Sequence, residues 1–180
     1  MLKGIRAGLL AVAAVLALGH GSQQAQAAAI GMGTNFWYTN TLENNLIAQG
    51  HTVSVVNSYT SASLSAFDAY IQDGNAYFDQ SALLNFVTNG GVLIELPWSL
   101  NQNSYTGALQ LMTSPNNISF GQPNPGINVL DPGNPLLAGV TLPGAGTYTI
   151  GREIGNQFTN PLNGILQWAD GTAMLAAAQV

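Results

Sequence analysis

Glu95 is the one carboxylate in the apolar run Val92-Leu93-Ile94-Glu95-Leu96, with Ser99 four residues further on. An unpaired buried carboxylate is costly, so such an acid is neutral, paired or hydrogen-bonded. At the carboxyl end of a parallel strand it could serve as a general acid or base, because open α/β sheets place their ligands there. A hydrolase of that kind, carbohydrate-active or amide-cleaving, would combine Glu95 with Ser99 or Asp73. The structural alternative is an acid that binds loop amides or pairs with Arg152, and the sequence names no partner of the sort a general base needs. The serine route lacks its usual parts. There is no G-x-S-x-G elbow, Pro97-Trp98 precede Ser99, and His51 would have to come from the start of another strand. His51 itself reads as a surface residue following a helix-ending glycine.

Asp73, Asn75 and Asp79 in "DGNAYFD" offer spaced oxygen donors of the type hard cations take. The calcium-loop pattern is not met, since an acid at the third position and a closing glutamate are both missing. Asp73-Gly74-Asn75 is more simply a turn, and Asp79 a helix cap.

Trp37-Tyr38, Tyr77-Phe78 and Trp98 follow the expected first, third and fourth strands, with Tyr105 close behind. In a parallel sheet they would gather at one rim beside Asn35, Asn75, Asn101 and Asn103. Aromatic faces next to amide side chains suit a carbohydrate or another neutral ligand, with Trp37, Tyr38, Asn75, Tyr77, Trp98 and Asn101 as the binding residues. The alternative is that these aromatics only cover the sheet end. Asn117-Ile118-Ser119 also matches the short glycosylation sequon.

The elements that must carry these residues begin after a leader. Lys3 and Arg6 form a positive region, Ala7 to Gly19 an uncharged apolar stretch, and Ala25-Gln26-Ala27 an A-x-A cleavage site. Residues 1–27 therefore read as a secretory signal peptide, too short in its apolar run to span a bilayer comfortably. Cleavage after Ala27 places residues 28–180 outside the cytoplasm, secreted, periplasmic or at the cell surface, with no direct membrane insertion. The mature chain keeps one cation, Arg152, against eight Asp and Glu, so its formal charge moves from −5 to −7. One cation cannot neutralise a row of phosphates or hold an anionic membrane, which excludes nucleic-acid and lipid-surface roles. With no cysteine in the chain, disulfides, thiolate metal sites and a thiol nucleophile are excluded, and no cofactor is implied.

Along the mature chain, "AIGMGTNF" reads as a strand and Asn40 with Glu43 as a capping box opening a helix that buries Leu42, Leu46 and Ile47 and ends at Gly50. "HTVSVVN" is a strand, "FDAYIQDG" another, Asp79 caps a helix facing inward through Leu83, Phe86 and Val87, Gly90-Gly91 stop it, and Val92 to Leu96 follows as a strand. This order predicts an α/β sheet with parallel neighbours and right-handed crossovers. Tyr105, Ala108, Leu109 and Met112 have the spacing of one short helix; "SPNNISFGQPNPGINVLDPGNP" reads as loop. Asn134-Pro135 opens a turn of helix, Thr147 to Ile154 is β-like, and "GILQWADGTAMLAAAQV" is two strands joined at Asp170-Gly171. With no repeat and no linker, residues 28–180 read as a single domain.

The segments "LIAQGHTVSVV", "FDAYIQDG", "ALLNFVTNGGVLIELPWS", "NPLLAGV" and "ILQWADGTAMLAAAQV" resemble, in that order, the class I glutamine amidotransferase-like superfold, especially its ThuA-like, non-amidotransferase branches. The resemblance covers almost all of the mature chain and implies a three-layer, flavodoxin-like α/β sandwich with a mostly parallel central sheet and a C-terminal β-hairpin. It implies no glutaminase. Catalytic relatives hold a cysteine in the turn after the strand matching Val92 to Leu96, where this chain has Glu95, Leu96, Pro97 and Trp98, and they supply a histidine later in the chain. It further implies another Gly-rich turn and strand beyond Val180. The function expected is that of an exported non-catalytic domain, for binding or cell-envelope assembly; the alternative is the hydrolase using Glu95 with Ser99 or Asp73.

Overall fold

The computed structural model describes residues 27–33, 39–56, 61–72, 79–95, 105–113, 117–119, 123, 125–146 and 152–179. The chain divides into two compact units, one within Gly19–Leu109 and one within Gln110–Gln179.

In the first unit β1 (Ala29–Gly33), α1 (Thr39–Ala48), β2 (Thr52–Val56), α2 (Ser61–Leu64), β3 (Ala69–Gln72), α3 (Gln80–Thr88) and β4 (Val92–Glu95) follow one another. The four strands form an all-parallel sheet in the order β2-β1-β3-β4. Central strands buried on both faces read as continuous apolar runs, and β3 is buried at all four of its positions. Tyr70 packs in a core with Val56, Leu64, Ala82, Leu83, Phe86, Tyr105 and Leu109, with Leu93 against it.

α3 starts and stops where its sequence dictates. Asp79 is the N-cap, its Oδ1 accepting the Ser81 N–H at 3.0 Å, which satisfies one of the donors a helix start leaves open. At the other end Gly90 takes φ 94°, a left-handed conformation glycine adopts without strain. Gly91 has a different reason to be glycine: a Cβ there would lie 2.3 Å from the Phe86 ring. The two glycines thus turn the chain directly from α3 into β4 while Phe86 stays packed.

Three local expectations are corrected. α1 begins at Thr39, so Asn40 lies inside the first turn and does not cap it. Ile47 is 49% exposed, because the buried stripe of α1 is the four-residue pair Leu42 and Leu46. Between Tyr105 and Met112 only Gly107–Leu109 is helical, as one 3₁₀ turn, and the left-handed φ of 62° at Gly107 prevents a longer helix.

The second unit is antiparallel. β5 (Asn117–Ser119) pairs with β7 (Arg152–Ile154), while β6 (Ile127–Val129), β8 (Gly164–Trp168) and β9 (Ala173–Ala176) form a sheet in the order β6-β8-β9. The segment read as loop therefore contains β5 and β6. Three-residue strands between prolines and glycines are too short to show a period, and only pairing with β7 and β8 defines them. Other features match the sequence. Asn134 caps a 3₁₀ turn, Pro135–Leu137, by accepting the Leu136 N–H at 3.0 Å. The β8–β9 hairpin turns at Asp170-Gly171, with Gly171 at φ 89° and the Thr172 N–H donating to Asp170 Oδ1 at 3.0 Å. Leu136, Ile165 and Leu166 form a buried apolar cluster in this unit.

Candidate functional site

The parallel sheet sets the site. Its order changes direction at β1, since β2 lies on one side of it and β3 on the other. In such sheets the crevice at the carboxyl ends of the strands beside that switch point is where ligands bind. β1 ends there in Gly33, β3 in Gln72 and β4 in Glu95.

Gln72 and Glu95 are register partners on adjacent parallel strands, so their side chains leave the same face of the sheet, the face also carrying Tyr70 and Leu93 two residues earlier. Gln72 is fully buried, yet among the described residues neither its Oε1 nor its Nε2 has a hydrogen-bond partner. Glu95 is partly buried and its Oε1 likewise has no partner among the described residues. Burial pushes the Glu95 carboxyl up to about 8, against an opposing hydrogen-bond contribution from the Tyr105 side chain. At neutral pH Glu95 is therefore mainly a protonated acid that can donate as well as accept. Beside it, Gln72 offers two N–H donors and a carbonyl acceptor. Three polar atoms at one edge of the sheet without a partner among the described residues are unusual, because buried polar groups nearly always find partners.

This arrangement is neutral and rich in both donors and acceptors, suited to a ligand with hydroxyl or amide groups and no net charge. The sequence signal for Gln72 was a polar residue closing the apolar run "AYI". A single polar residue at a strand end carries no local mark of burial, which is set by the elements packed around it. Of the other residues singled out, Trp37, Tyr38, Asp73, Asn75, Tyr77, Trp98, Ser99 and Asn101 lie outside the described residues, as does the side chain of Arg152. The Asp79 carboxylate is engaged as a helix cap, and its hydrogen bonds from the Ser81 side chain and backbone hold it below the usual carboxylate range. Among the described residues no group of three or more His, Asp and Glu could hold a metal ion. His51 corrects its expectation. It is 7% exposed, and its Nδ1 accepts the Ala28 N–H at 3.2 Å, so the residue after Gly50 turns inward onto the start of β1. No described helix is long and apolar enough to cross a membrane.

Comparison with known proteins yields no matching family model, no matching curated protein and no matching solved structure.

Proposed function

We propose that this chain is an exported, non-catalytic α/β binding domain that takes a neutral ligand, of carbohydrate type, at the carboxyl edge of its parallel sheet. The observation that carries this reading is the fully buried Gln72 amide, without a hydrogen-bond partner among the described residues at both of its polar atoms and in register with Glu95. Each such atom costs on the order of 1–3 kcal/mol when left unpaired. A ligand hydroxyl, which both donates and accepts, would satisfy either group without bringing an uncompensated charge. The rim aromatics Trp37, Tyr38, Tyr77 and Trp98, with Asn75 and Asn101, follow β1, β3 and β4 in sequence and would supply stacking faces and further amides. The acidic mature chain supports a ligand that is neither nucleic acid nor anionic lipid. The finer architecture belongs to the same proposal: a three-layer, flavodoxin-like, ThuA-like amidotransferase-type sandwich.

A second reading has one observation in its favour. A carboxyl that stays protonated at neutral pH is what a general acid requires, so Glu95 could donate a proton in a hydrolase with Ser99 or Asp73.

A glycan array with the secreted protein, followed by titration of the best binder, tests both. Binding without turnover, weakened by Trp98→Ala by an anchor's usual 1–3 kcal/mol or so, supports the binding domain. Product formation that is lost in a stably folded Glu95→Gln variant would replace it with the hydrolase. No affinity for any neutral glycan or polyol would remove the carbohydrate reading.

A further inference from the structure

The amino edge of the same sheet holds a different cluster. The Ala28 N–H donates to His51 Nδ1 at 3.2 Å, and the Ala28 carbonyl accepts the Thr52 N–H at 3.0 Å. One residue on, the Ala29 N–H donates to Asp68 Oδ2 at 2.8 Å and the Ala29 carbonyl accepts the Asp68 N–H at 2.8 Å. The chain is therefore held from the nitrogen of Ala28 onward, while Ala27 is exposed. That boundary coincides with the A-x-A site, whose last alanine is Ala27.

Strand register does not account for the imidazole. A backbone N–H entering a sheet ordinarily meets a carbonyl, and here it meets the ring of a buried histidine. For Nδ1 to accept, the ring proton must sit on Nε2. As a peptide nitrogen, Ala28 offers this acceptor one hydrogen. As a free amino terminus it would offer three and carry a positive charge, in a mature chain whose only other cation is Arg152. Charge-assisted hydrogen bonds are roughly twice as strong as neutral ones.

We propose that His51 and Asp68 form a docking site for the α-amino group created when the bond between Ala27 and Ala28 is hydrolysed, so that removal of the leader fastens β1 more tightly into the sheet. The inference rests on the export reading above. The reaction belongs to an external leader-cleaving peptidase. Water adds across the bond, the leader leaves with a carboxylate on Ala27, and the Ala28 nitrogen is protonated to an ammonium. His51 Nδ1 then accepts one ammonium hydrogen, and the carboxylate of Asp68, already holding the next amide, provides the neighbouring negative charge.

The mature chain makes the test clean, because it contains no lysine and its α-amine is its only aliphatic amine. The secreted protein is first sequenced at its amino terminus by mass spectrometry. It is then acetylated with an amine-selective reagent and melted beside the unmodified protein. The expected result is Ala28 as the first residue, an amine that reacts much more slowly in the folded than in the denatured protein, and a Tm lowered by a few degrees on acetylation. His51→Leu should lower the Tm and abolish the effect of acetylation, and His51→Asn, which keeps an acceptor oxygen close to the Nδ1 position, should restore it. A first residue other than Ala28 would overturn the processing step on which the inference stands. Ala28 as first residue with the same Tm before and after acetylation would overturn the docking site and leave export intact. If His51→Leu does not fold, the acetylation of the unsubstituted protein decides alone.

Discussion

Gln72 and Glu95 close β3 and β4 side by side, in register and on one face, with three polar atoms between them that have no hydrogen-bond partner among the described residues. Replacing the amide by a shape-matched apolar group removes two of those atoms at once. Gln72→Leu is therefore expected to be neutral or stabilising by about 1–2 kcal/mol in urea denaturation, while weakening any glycan bound at the sheet edge. A loss of stability beyond about 2 kcal/mol would mean that the amide is serving the fold.

Glu95 makes stability depend on pH in a direction opposite to most carboxylates. Its folded-state pKa of about 8 lies above the ordinary 4.5, so the folded protein binds more protons than the unfolded chain between those two values. Its favourable contribution is complete below about pH 4.5 and is lost as pH rises toward about 8. The slope is at most about 1.4 kcal/mol per pH unit and is reduced by the partial exposure of the group. Denaturation at pH 5, 6.5 and 8 should show stability falling, and Glu95→Gln should flatten that trend.

Gly91→Ala should destabilise the protein by about 1–3 kcal/mol, the usual cost of forcing atoms into a packed site. The atoms it meets are the Phe86 ring, 2.3 Å from the added Cβ. In a Phe86→Leu background the same substitution should cost less, and a double-mutant cycle measures the coupling. Equal costs in both backgrounds would mean that backbone strain, not the ring, is the obstacle.

Asn156 ties the second unit together from inside. It is 1% exposed; its side-chain Nδ2 donates to the Ala173 carbonyl at 3.0 Å, and its backbone carbonyl accepts the Ala173 N–H at 3.0 Å. Asn156→Ala leaves the Ala173 carbonyl without that donor and should cost about 1–3 kcal/mol. Hydrogen exchange should report the loss first at the amides of β8 and β9.

Much of the first unit is legible in the sequence itself. Asp79, Gly50 and Gly90-Gly91 act through backbone chemistry within a few residues, so helix limits and strand starts could be read directly. The alternating strand and helix segments then implied parallel pairing, because short crossovers permit little else. Asn134-Pro135 and Asp170-Gly171 were legible for the same local reason.

What the tertiary structure decided is who stands next to whom. β5 and β6 exist as strands only because β7 and β8 pair with them from far along the chain. His51 looked like a surface residue since nothing nearby in sequence covers it, and it is buried because β1 runs alongside and presents the nitrogen of Ala28. Gln72 and Glu95 are 23 positions apart in sequence, and only the register of β3 on β4 makes them neighbours. Sequence by itself determined the types of group available and the short-range turns that direct them. Burial of Gln72 and the raised affinity of Glu95 for its proton come from desolvation, which depends on everything packed around a group in three dimensions and so leaves no local mark in the sequence.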